Sequence, residues 1–238
     1  MGKIGIIGQG YVGSAIRIGF EPHYEVSTYD KYDLAKSTHS KLSDVVKNSD
    51  VIFVCVPTPM NKDGSCHTDI VEDVIKSTIP PGTTDRLHRK YKNIDVIFNP
   101  EFLTEANFIE DFKNQNRIIL GGVRRGTTKL RQIYSKVFPH ATIVKTGAKH
   151  AEMVKYFTNC FLATKVSFAN EMKYICDNID LDYDNDLGFG GHCLPKDLSA
   201  MINGFDTLGL LEAVENVNDQ VRENRDWEQM KGRAVVDG

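Results

Sequence analysis

The sequence predicts an α/β protein: a Rossmann-type doubly wound parallel sheet, followed by a long central helix and a small helical domain. Two observations lead to this prediction. Over residues 1–147, apolar runs alternate with amphipathic stretches, which is the pattern of repeated β-α-β units. From about Lys149, apolar residues instead recur at helical spacing, without proline or glycine through Ile179. We therefore expect one domain over residues 1–147 and a second over residues 148–238.

Apolar runs such as VIFVCV at residues 51–56 fit parallel strands that are buried on both faces. We expect six strands, at Ile4–Ile7, Glu25–Tyr29, Val51–Val56, Val96–Asn99, Arg117–Leu120 and Thr142–Val144. Amphipathic stretches predict helices at Val12–Phe20, Lys41–Lys47, Thr84–Tyr91 and Thr127–Phe138, with two more near Leu198–Asn203 and Leu208–Asn224. The long helix would extend about 45 Å, so we expect it to span two domains or to form a dimer interface.

Composition narrows the class of protein. A formal net charge of −3 argues against general binding to nucleic acid or to an anionic membrane, which needs a basic face. No apolar run approaches the roughly 20 residues of a membrane helix, and the N-terminus lacks a signal-peptide pattern. The five cysteines form no CxxC pair, and the histidines show no metal-ligand spacing. We predict a cytoplasmic protein with reduced thiols and without a metal site.

The stretch IGIIGQGYVGSAI carries Gly8, Gly10 and Gly13 in GxGxxG spacing. It follows an apolar strand and opens a helix, and Asp30 lies at the end of the next strand, which is the context of a dinucleotide-binding turn. Gly8 would make the tight turn, and Gly10 would let the backbone approach a pyrophosphate. Gly13 would let the helix and the strand pack closely.

The predicted cofactor is NAD. Asp30 would accept hydrogen bonds from the adenosine ribose hydroxyls, which selects NAD over NADP. Lys31 follows directly, so some tolerance of NADP stays open. The helix predicted to begin at Val12 would face the phosphates with its positive end, and Tyr11 and Val12 are therefore also predicted to bind the cofactor.

Six segments occur in order along the chain: GQGYVG, VPTPMNKDGS, KSTIPPGTT, NPEFLTEA, VKYFTNCFLATKVSFANEM and GFGGHCLPKD. Together they resemble the UDP-glucose/GDP-mannose dehydrogenase family of nucleotide-sugar dehydrogenases, from Lys3 to about Asn224. The resemblance implies an NAD-dependent, four-electron oxidation of a sugar CH2OH to a carboxylate, with conversion of UDP-glucose to UDP-glucuronate foremost. It also implies an enzyme thiol that captures the aldehyde as a thiohemiacetal and then carries a thioester.

The resemblance assigns the nucleophile to Cys193 of GFGGHCLPKD. Lys155 and Asn159 lie four apart on the long helix, hence on one face, and are expected to stabilise oxyanion character at the reacting carbon. Asp197 would assist a catalytic water or a proton transfer together with Lys155. Without the resemblance, a lone lysine on a helix is an ordinary solvated side chain.

In NPEFLTEA, the resemblance makes Glu101 the base for thioester hydrolysis. Glu105, with Thr78 of KST, would hold a water near the nicotinamide. The backbone amides of Phe102 and Leu103 would meet the phosphate or the sugar of the substrate. Taken alone, each glutamate is an ordinary loop carboxylate.

Three further contacts follow from the resemblance. Thr58 of VPTP would line the cofactor site, Lys196 would reach the cofactor, and Gly190 would line the sugar site.

Cys160 and Cys176, on the long helix, are expected to be buried packing residues.

The chain also departs from the family pattern. Members carry a second Rossmann-like domain, which binds UDP, after the central helices, and this sequence stops near where that domain would begin. The segment CDNIDLDYDND lacks a recognisable version of the family's arginine-bearing turn. The resemblance therefore implies a truncated form in which the NAD half and the thiol chemistry are complete.

Several functions stay open. The chain could be a dehydrogenase for UDP-glucose, for another sugar nucleotide or for a sugar phosphate. It could instead be an NAD-binding protein that needs a partner chain for turnover. A one-step hydroxyacid dehydrogenase would leave Cys193 without a role. In each enzyme reading we expect a nucleotide-sugar or related substrate and a homodimer through the long helix.

Overall fold

A computed structural model describes residues 2–58, 60–63, 77–180, 188–191, 193–206, 209–222, 225–230 and 235–236. These residues form two compact units. The first unit contains the described residues up to Val56 and those from 77 to Met153. The second contains residues 57–58 and 60–63 and the described residues from Val154 onward.

Three parallel strands form one sheet of the first unit, in the order β2-β1-β3. Their bounds are Lys3–Ile7 (β1), Glu25–Tyr29 (β2) and Val51–Val54 (β3), and the accompanying helices are Tyr11–Phe20 (α1) and Leu42–Lys47 (α2). Ile4 of β1 lies opposite Val26 and Val51, and both Ile4 and Ile6 are buried. The predicted α/β class and the parallel β-α-β start are confirmed.

The other sheet of this unit has the order β4-β5-β6, and one strand departs from the prediction. Its bounds are Ile97–Phe98 (β4), Arg117–Gly122 (β5) and Thr142–Thr146 (β6). β5 and β6 are parallel, but β4 is antiparallel to β5, so the expectation that all strands are parallel is wrong for β4. A short apolar run identifies a strand without giving its direction, which is set by pairing with distant residues.

Helices and a cluster of aromatic residues cover these sheets. The helices are Thr83–Lys90 (α3), Phe108–Lys113 (α4) and Arg124–Val137 (α5), of which α4 is not among the predicted elements. Phe20 and Tyr134 meet edge to face, with ring centroids 5.4 Å apart. Phe112 of α4 packs against α1 at Gly19, where an added Cβ would lie 2.4 Å from the Phe112 ring. The buried aromatic cluster thus holds α1 and α4 close to the sheet.

The second unit is helical. Its helices are the continuation of Ala148–Asn178 (α6), then Leu194–Gly204 (α7) and Leu210–Val221 (α8). The 31-residue α6 confirms the predicted long helix. α7 begins before the predicted residue 198, because Pro195 is favoured in the first turn of a helix. Within the described part of the chain, no helix has the length and apolar character needed to cross a membrane.

Candidate active site

The glycine turn has the geometry that a dinucleotide needs. Gly8 has a φ of +86°, and an added Cβ there would lie 2.4 Å from the backbone oxygen of Cys55. A Cβ at Gly13 would lie 1.9 Å from the carbonyl oxygen of Gly8. At Gly10, an added Cβ would meet no atom of the described residues within 4 Å. The outer glycines therefore allow close packing, and Gly10 leaves open the face that a pyrophosphate would approach.

The first turn of α1 adds backbone donors to this open face. α1 begins at Tyr11, and no side chain of the described residues caps it at Gly10. The Tyr11 ring packs edge-on against Phe108 at 5.2 Å, and Val12 packs on the core, so these two residues offer their amides rather than their side chains. A helix start without a side-chain cap among the described residues fits the phosphates of NAD.

Asp30 lies at the end of β2 and is bound to the glycine turn. Its Oδ2 accepts a hydrogen bond of 2.6 Å from the Gln9 amide, and its Oδ1 accepts bonds from the amides of Tyr32 and Asp33. Burial alone would raise the pKa of Asp30, but these three amides and the charge of Lys36 together lower it below its ordinary value. Asp30 is therefore a fixed carboxylate beside the turn, which fits the ribose hydroxyls of NAD.

The other residues predicted to bind the cofactor differ in exposure. Lys31 is exposed, and its ammonium lies 5.5 Å from the centre of the Tyr32 ring. Thr78 is half-buried and Glu105 is exposed. Thr58 is buried and belongs to the second unit.

A buried hydrogen-bond chain anchors the start of the NPEFLTEA loop. The hydroxyl of Tyr134 donates to Oδ1 of Asn99, and Nδ2 of Asn99 donates to the carbonyl of Ile119 at 2.9 Å. Asn99 is buried at the end of β4. A polar residue directly after an apolar strand is the sequence signal that could have identified this anchor.

The loop after Asn99 carries the predicted base. Glu101 is half-buried, and its Oε2 accepts a hydrogen bond of 2.7 Å from the amide of Leu103. The ring of Phe102 lies under the guanidinium of Arg117, 5.3 Å from its carbon. The Leu103 amide, predicted to meet substrate, thus has an acceptor within the loop, and a substrate oxygen would have to replace Glu101 there.

In the second unit, hydrogen bonds link three of the predicted catalytic residues, Asn159, Asp197 and Cys193. Asp197 is fully buried; its Oδ2 accepts a hydrogen bond from Nδ2 of Asn159, and its Oδ1 is paired with the ammonium of Lys196. The Asp197 amide donates to the carbonyl of Cys193 at 2.9 Å, because Cys193 directly precedes α7. Lys155 is buried one helical turn before Asn159 on α6. The ion pair of Lys196 was not expected from the sequence, which assigned that lysine to the cofactor.

The thiols of this unit have different surroundings. Cys160, next to Asn159, is buried, and its pKa is raised to about 12 by burial and, second, by the charge of Asp197. Cys193 is half-buried, as is Cys176. Burial therefore confirms Cys160 as a buried packing residue, whereas the expectation that Cys176 is buried is wrong, because Cys176 lies near the end of α6 and is only half-buried.

Gly190 lies against two charged side chains. An added Cβ at Gly190 would be 2.4 Å from Oδ1 of Asp226 and 2.5 Å from Nη2 of Arg222. This crowding explains a glycine at position 190 without reference to a sugar. Its predicted part in the sugar site stays a prediction.

Glu152 is a buried carboxylate that the sequence analysis did not single out. Its Oε2 accepts from the Gly82 amide at 2.6 Å, and its Oε1 accepts from the amide and the hydroxyl of Thr84 at 2.7 and 2.6 Å. It thereby caps the start of α3, directly after the segment that holds Thr78. The sequence signal that could have identified Glu152 is a glutamate on the apolar face of a helix.

Comparison with known proteins agrees with this geometry. Residues 26–139 match the NAD-binding domain of the UDP-glucose/GDP-mannose dehydrogenase family, and residues 149–185 match its central domain. The UDP-glucose 6-dehydrogenase of Pseudomonas aeruginosa is 32% identical over 86% of this chain and 56% of its own length. The UDP-glucose 6-dehydrogenase TuaD of Bacillus subtilis is 28% identical over 93% of this chain and 64% of its own length.

A solved structure of a UDP-glucose dehydrogenase from Pyrobaculum islandicum superimposes with a TM-score of 0.82. It is 28% identical, and the match covers 92% of this chain and 68% of that one. The chain thus spans about 56 to 64% of the length of the two curated relatives above. From both family matches and the dinucleotide turn, we conclude that the chain belongs to the UDP-glucose/GDP-mannose dehydrogenase family and that its cofactor is NAD.

Proposed function

We propose that this chain oxidises the CH2OH group of a nucleotide sugar to a carboxylate, with UDP-glucose as the first substrate to test. The observation that carries the proposal is the buried set of Asn159, Asp197 and Lys196 at the start of the helix that Cys193 precedes. Desolvated, hydrogen-bonded charges one helical turn after a half-buried cysteine suit acyl chemistry on sulfur. Family membership supports the class of substrate, since the curated relatives described above are named UDP-glucose 6-dehydrogenases.

The proposed reaction converts one CH2OH group, two NAD+ and one water into one carboxylate, two NADH and three protons. One oxygen-bound proton is released in each oxidation, and the third leaves when the carboxylic acid ionises. NAD+, when bound, accepts one hydride from the sugar carbon in each of two oxidations. After the first, Sγ of Cys193 adds to the aldehyde carbon, and the carbonyl oxygen takes a proton to form a thiohemiacetal. The second hydride loss leaves a thioester, water adds to its carbon, and the C–S bond breaks to return the thiol and release the carboxylate.

Each residue has a proposed part in these steps. The ammonium of Lys155 and the amide of Asn159 stabilise negative charge on the substrate oxygen. Asp197 accepts a proton and holds Asn159 in place through their hydrogen bond. Glu101 acts as the base that activates the hydrolytic water.

The loop residues have supporting parts. Glu105 and Thr78 hold a water near the cofactor. The amides of Phe102 and Leu103, together with Gly190, line the substrate. Thr58, Lys31 and Lys196 contribute on the cofactor side, although Lys196 must then exchange part of its pairing with Asp197.

We also propose that two copies of the chain pair along α6. Large apolar side chains are exposed on this helix, among them Phe161, Phe168 and Ile175, which lie seven residues apart. Met172 on α6 and Ile179, directly after the end of α6, form a second row with the same spacing, so the sequence of this face has the 3.5-residue repeat of a coiled-coil seam. Burying such a face against an identical one removes apolar surface from water.

A second candidate is an NAD-binding protein that turns over only with a partner chain. The fact that favours it is the coverage of 56 to 64% of the curated relatives' length, since remote parts of a substrate often supply binding energy for catalysis. A dehydrogenase for another sugar nucleotide or for a sugar phosphate is the corresponding alternative among substrates.

The test is a count of NADH formed per UDP-glucose, for the native chain and for Cys193→Ser. We expect two NADH per sugar from the native chain and loss of the second oxidation in the variant. NAD+ binding without NADH from UDP-glucose would overturn the substrate assignment. The same assay with other sugar nucleotides, sugar phosphates and a candidate partner chain then separates the alternatives. The cytoplasmic prediction is kept with this proposal, because the chemistry requires Cys193 as a free thiol.

A further inference from the structure

Side chains from other elements hold the backbone of the glycine-rich segment before Cys193. The amide of Phe189 donates to Oδ1 of Asn218, on α8, at 2.7 Å. The amide of Gly188 donates to Oδ1 of Asn170, on α6, at 3.1 Å. Both asparagines are buried, with 3% and 2% of their surface exposed. The segment is therefore fixed from two helices that lie far from it in the sequence.

A third contact holds the end of the same segment. The amide of Gly191 lies 3.3 Å from both carboxylate oxygens of Asp226, in the 3-10 turn Asp226–Gln229. Arg222 pairs with the same carboxylate at 3.4 Å. The contact between Gly191 and Asp226 is longer than the contact between Phe189 and Asn218. The Asp226 side chain is also more exposed than that of Asn218.

The segment needs such external acceptors because its own backbone is unusual. Gly188 and Gly191 have φ values of +77° and +71°, which places them in the left-handed region. Glycines in that region lose much conformational entropy on ordering. The Phe189 amide is buried, and leaving such a donor without an acceptor is unfavourable, because the amide would lose its hydrogen bond without gaining one to water. Asn218 supplies the shortest of these bonds to the segment.

We propose that Asn218 is a positioning residue for the thiol of Cys193. By fixing Phe189, it sets the path of the chain into the first turn of α7, where Cys193 and Asp197 are joined by a backbone hydrogen bond. The side-chain oxygen of Asn218 accepts the hydrogen bond of the Phe189 amide. Asn218 therefore acts on the reaction of Cys193 only through the position of the backbone. The inference rests on the proposed function of Cys193 as the nucleophile.

The test compares three variants of Asn218 in the full chain. Asn218→Leu removes the acceptor, Asn218→Ala removes it with less crowding, and Asn218→Asp keeps an acceptor oxygen. Ser167→Ala is the matched control, because buried Ser167 also bonds α8: its hydroxyl donates to the Val214 carbonyl at 3.1 Å, and this bond does not involve the segment. Iodoacetamide labelling of Cys193 and of Cys160 is followed by peptide mass spectrometry, beside NADH formation and Tm.

Buried Cys160 reports on general loosening of the same unit. We expect Asn218→Leu or Asn218→Ala to raise the labelling rate of Cys193 about tenfold with little change at Cys160. Turnover should fall about 10- to 100-fold with a nearly constant KM for NAD+, since small displacements of a reacting group have effects of this size. Asn218→Asp should restore both values toward those of the native chain.

Equal changes at Cys193 and Cys160, or labelling of Cys193 that matches the Ser167→Ala control, would overturn the inference. Failure of the proposed function gives a different result: no NADH from the native chain, with the labelling comparison still readable. If Asn218→Leu does not fold, Asn218→Ala and Asn218→Asp carry the same comparison.

Discussion

Asn159 donates its side-chain amide to Asp197, and Lys196 occupies the other oxygen of the same carboxylate. All three side chains are buried, so the charge of Asp197 is balanced within the unit rather than by water. A buried ion pair contributes little net stability, but removing one partner leaves a desolvated charge and is strongly unfavourable. The arrangement therefore links the candidate chemistry of this unit to its stability.

The first prediction concerns this pair. Asp197→Asn should lower the free energy of unfolding by about 3–5 kcal/mol, because it leaves the Lys196 ammonium buried without its counter-charge. Adding Lys196→Met should recover part of that loss. Urea unfolding of both single variants and of the double variant measures the coupling. Asp206→Asn, at an exposed position on the same unit, is the control and should change little. A double variant no more stable than Asp197→Asn would contradict the prediction.

The second prediction concerns Cys160. Its pKa of about 12 means that about one thiol in 10^4 is ionised at pH 8, so iodoacetamide should label it far more slowly than Cys193 at that pH. Because the folded-state pKa is raised, the neutral thiol stabilises the fold fully below the unfolded-state pKa of about 8.5. That contribution is lost as the pH rises from there to about 12. Unfolding of the native chain and of Cys160→Ala across this range measures the difference. A native chain whose stability falls no faster than that of Cys160→Ala would refute the assignment.

The third prediction concerns the capping carboxylate of α3. Glu152→Gln should lower the free energy of unfolding by about 1–3 kcal/mol, because an amide nitrogen replaces one acceptor oxygen opposite a buried donor. Glu171→Gln is the matched control, since Glu171 is exposed on the same helix. Urea unfolding of the two variants gives the comparison. Equal stability of the two would show that the Gly82 and Thr84 contacts contribute nothing beyond solvation.

Local spacing made part of this site predictable. Gly8, Gly10 and Gly13 are set by a turn of a few residues, so their spacing carries the geometry that the structure shows. The long helix was predictable for the same reason, because its period is local. The cap by Glu152 joins residues 68 positions apart, at Thr84, and no local pattern encodes that distance.

The other candidate residues were predicted from the resemblance to a family. A resemblance assigns a role to each residue, but it does not give the contacts that the residue makes in the fold. It named Asn159 and Asp197, and the hydrogen bond between them was found only in three dimensions. It placed Lys196 at the cofactor, whereas the side chain pairs with its own neighbour in the first turn of α7. The predicted parallel direction of β4 was wrong, because two apolar residues, Ile97 and Phe98, fit a parallel or an antiparallel strand equally well.

The fourth prediction concerns selection of the cofactor. Asp30→Ala should raise the Kd for NAD+ about 10- to 100-fold, because hydrogen bonds to a charged acceptor contribute about 1.5–3 kcal/mol. Asp33→Ala is the control, since its carboxylate pairs with Lys36 beside the same turn. Titration of both variants with NAD+ and NADP+ measures the change. Unaltered affinity for NAD+ in Asp30→Ala would remove Asp30 from the cofactor site.

The last prediction concerns pairing along α6. Phe161 and Phe168 are 57% and 63% exposed, and a charge on this face would have to be desolvated in a dimer. We expect sedimentation velocity to give about twice 26.7 kDa for the native chain and about 26.7 kDa for Phe161→Glu, with Phe168→Glu acting in the same way. Phe205→Glu, at an exposed phenylalanine outside α6, should keep the native mass. A native chain that sediments as a monomer at micromolar concentration would reject pairing through this helix, and loss of the dimer in Phe205→Glu alone would move the interface to the connection between α7 and α8.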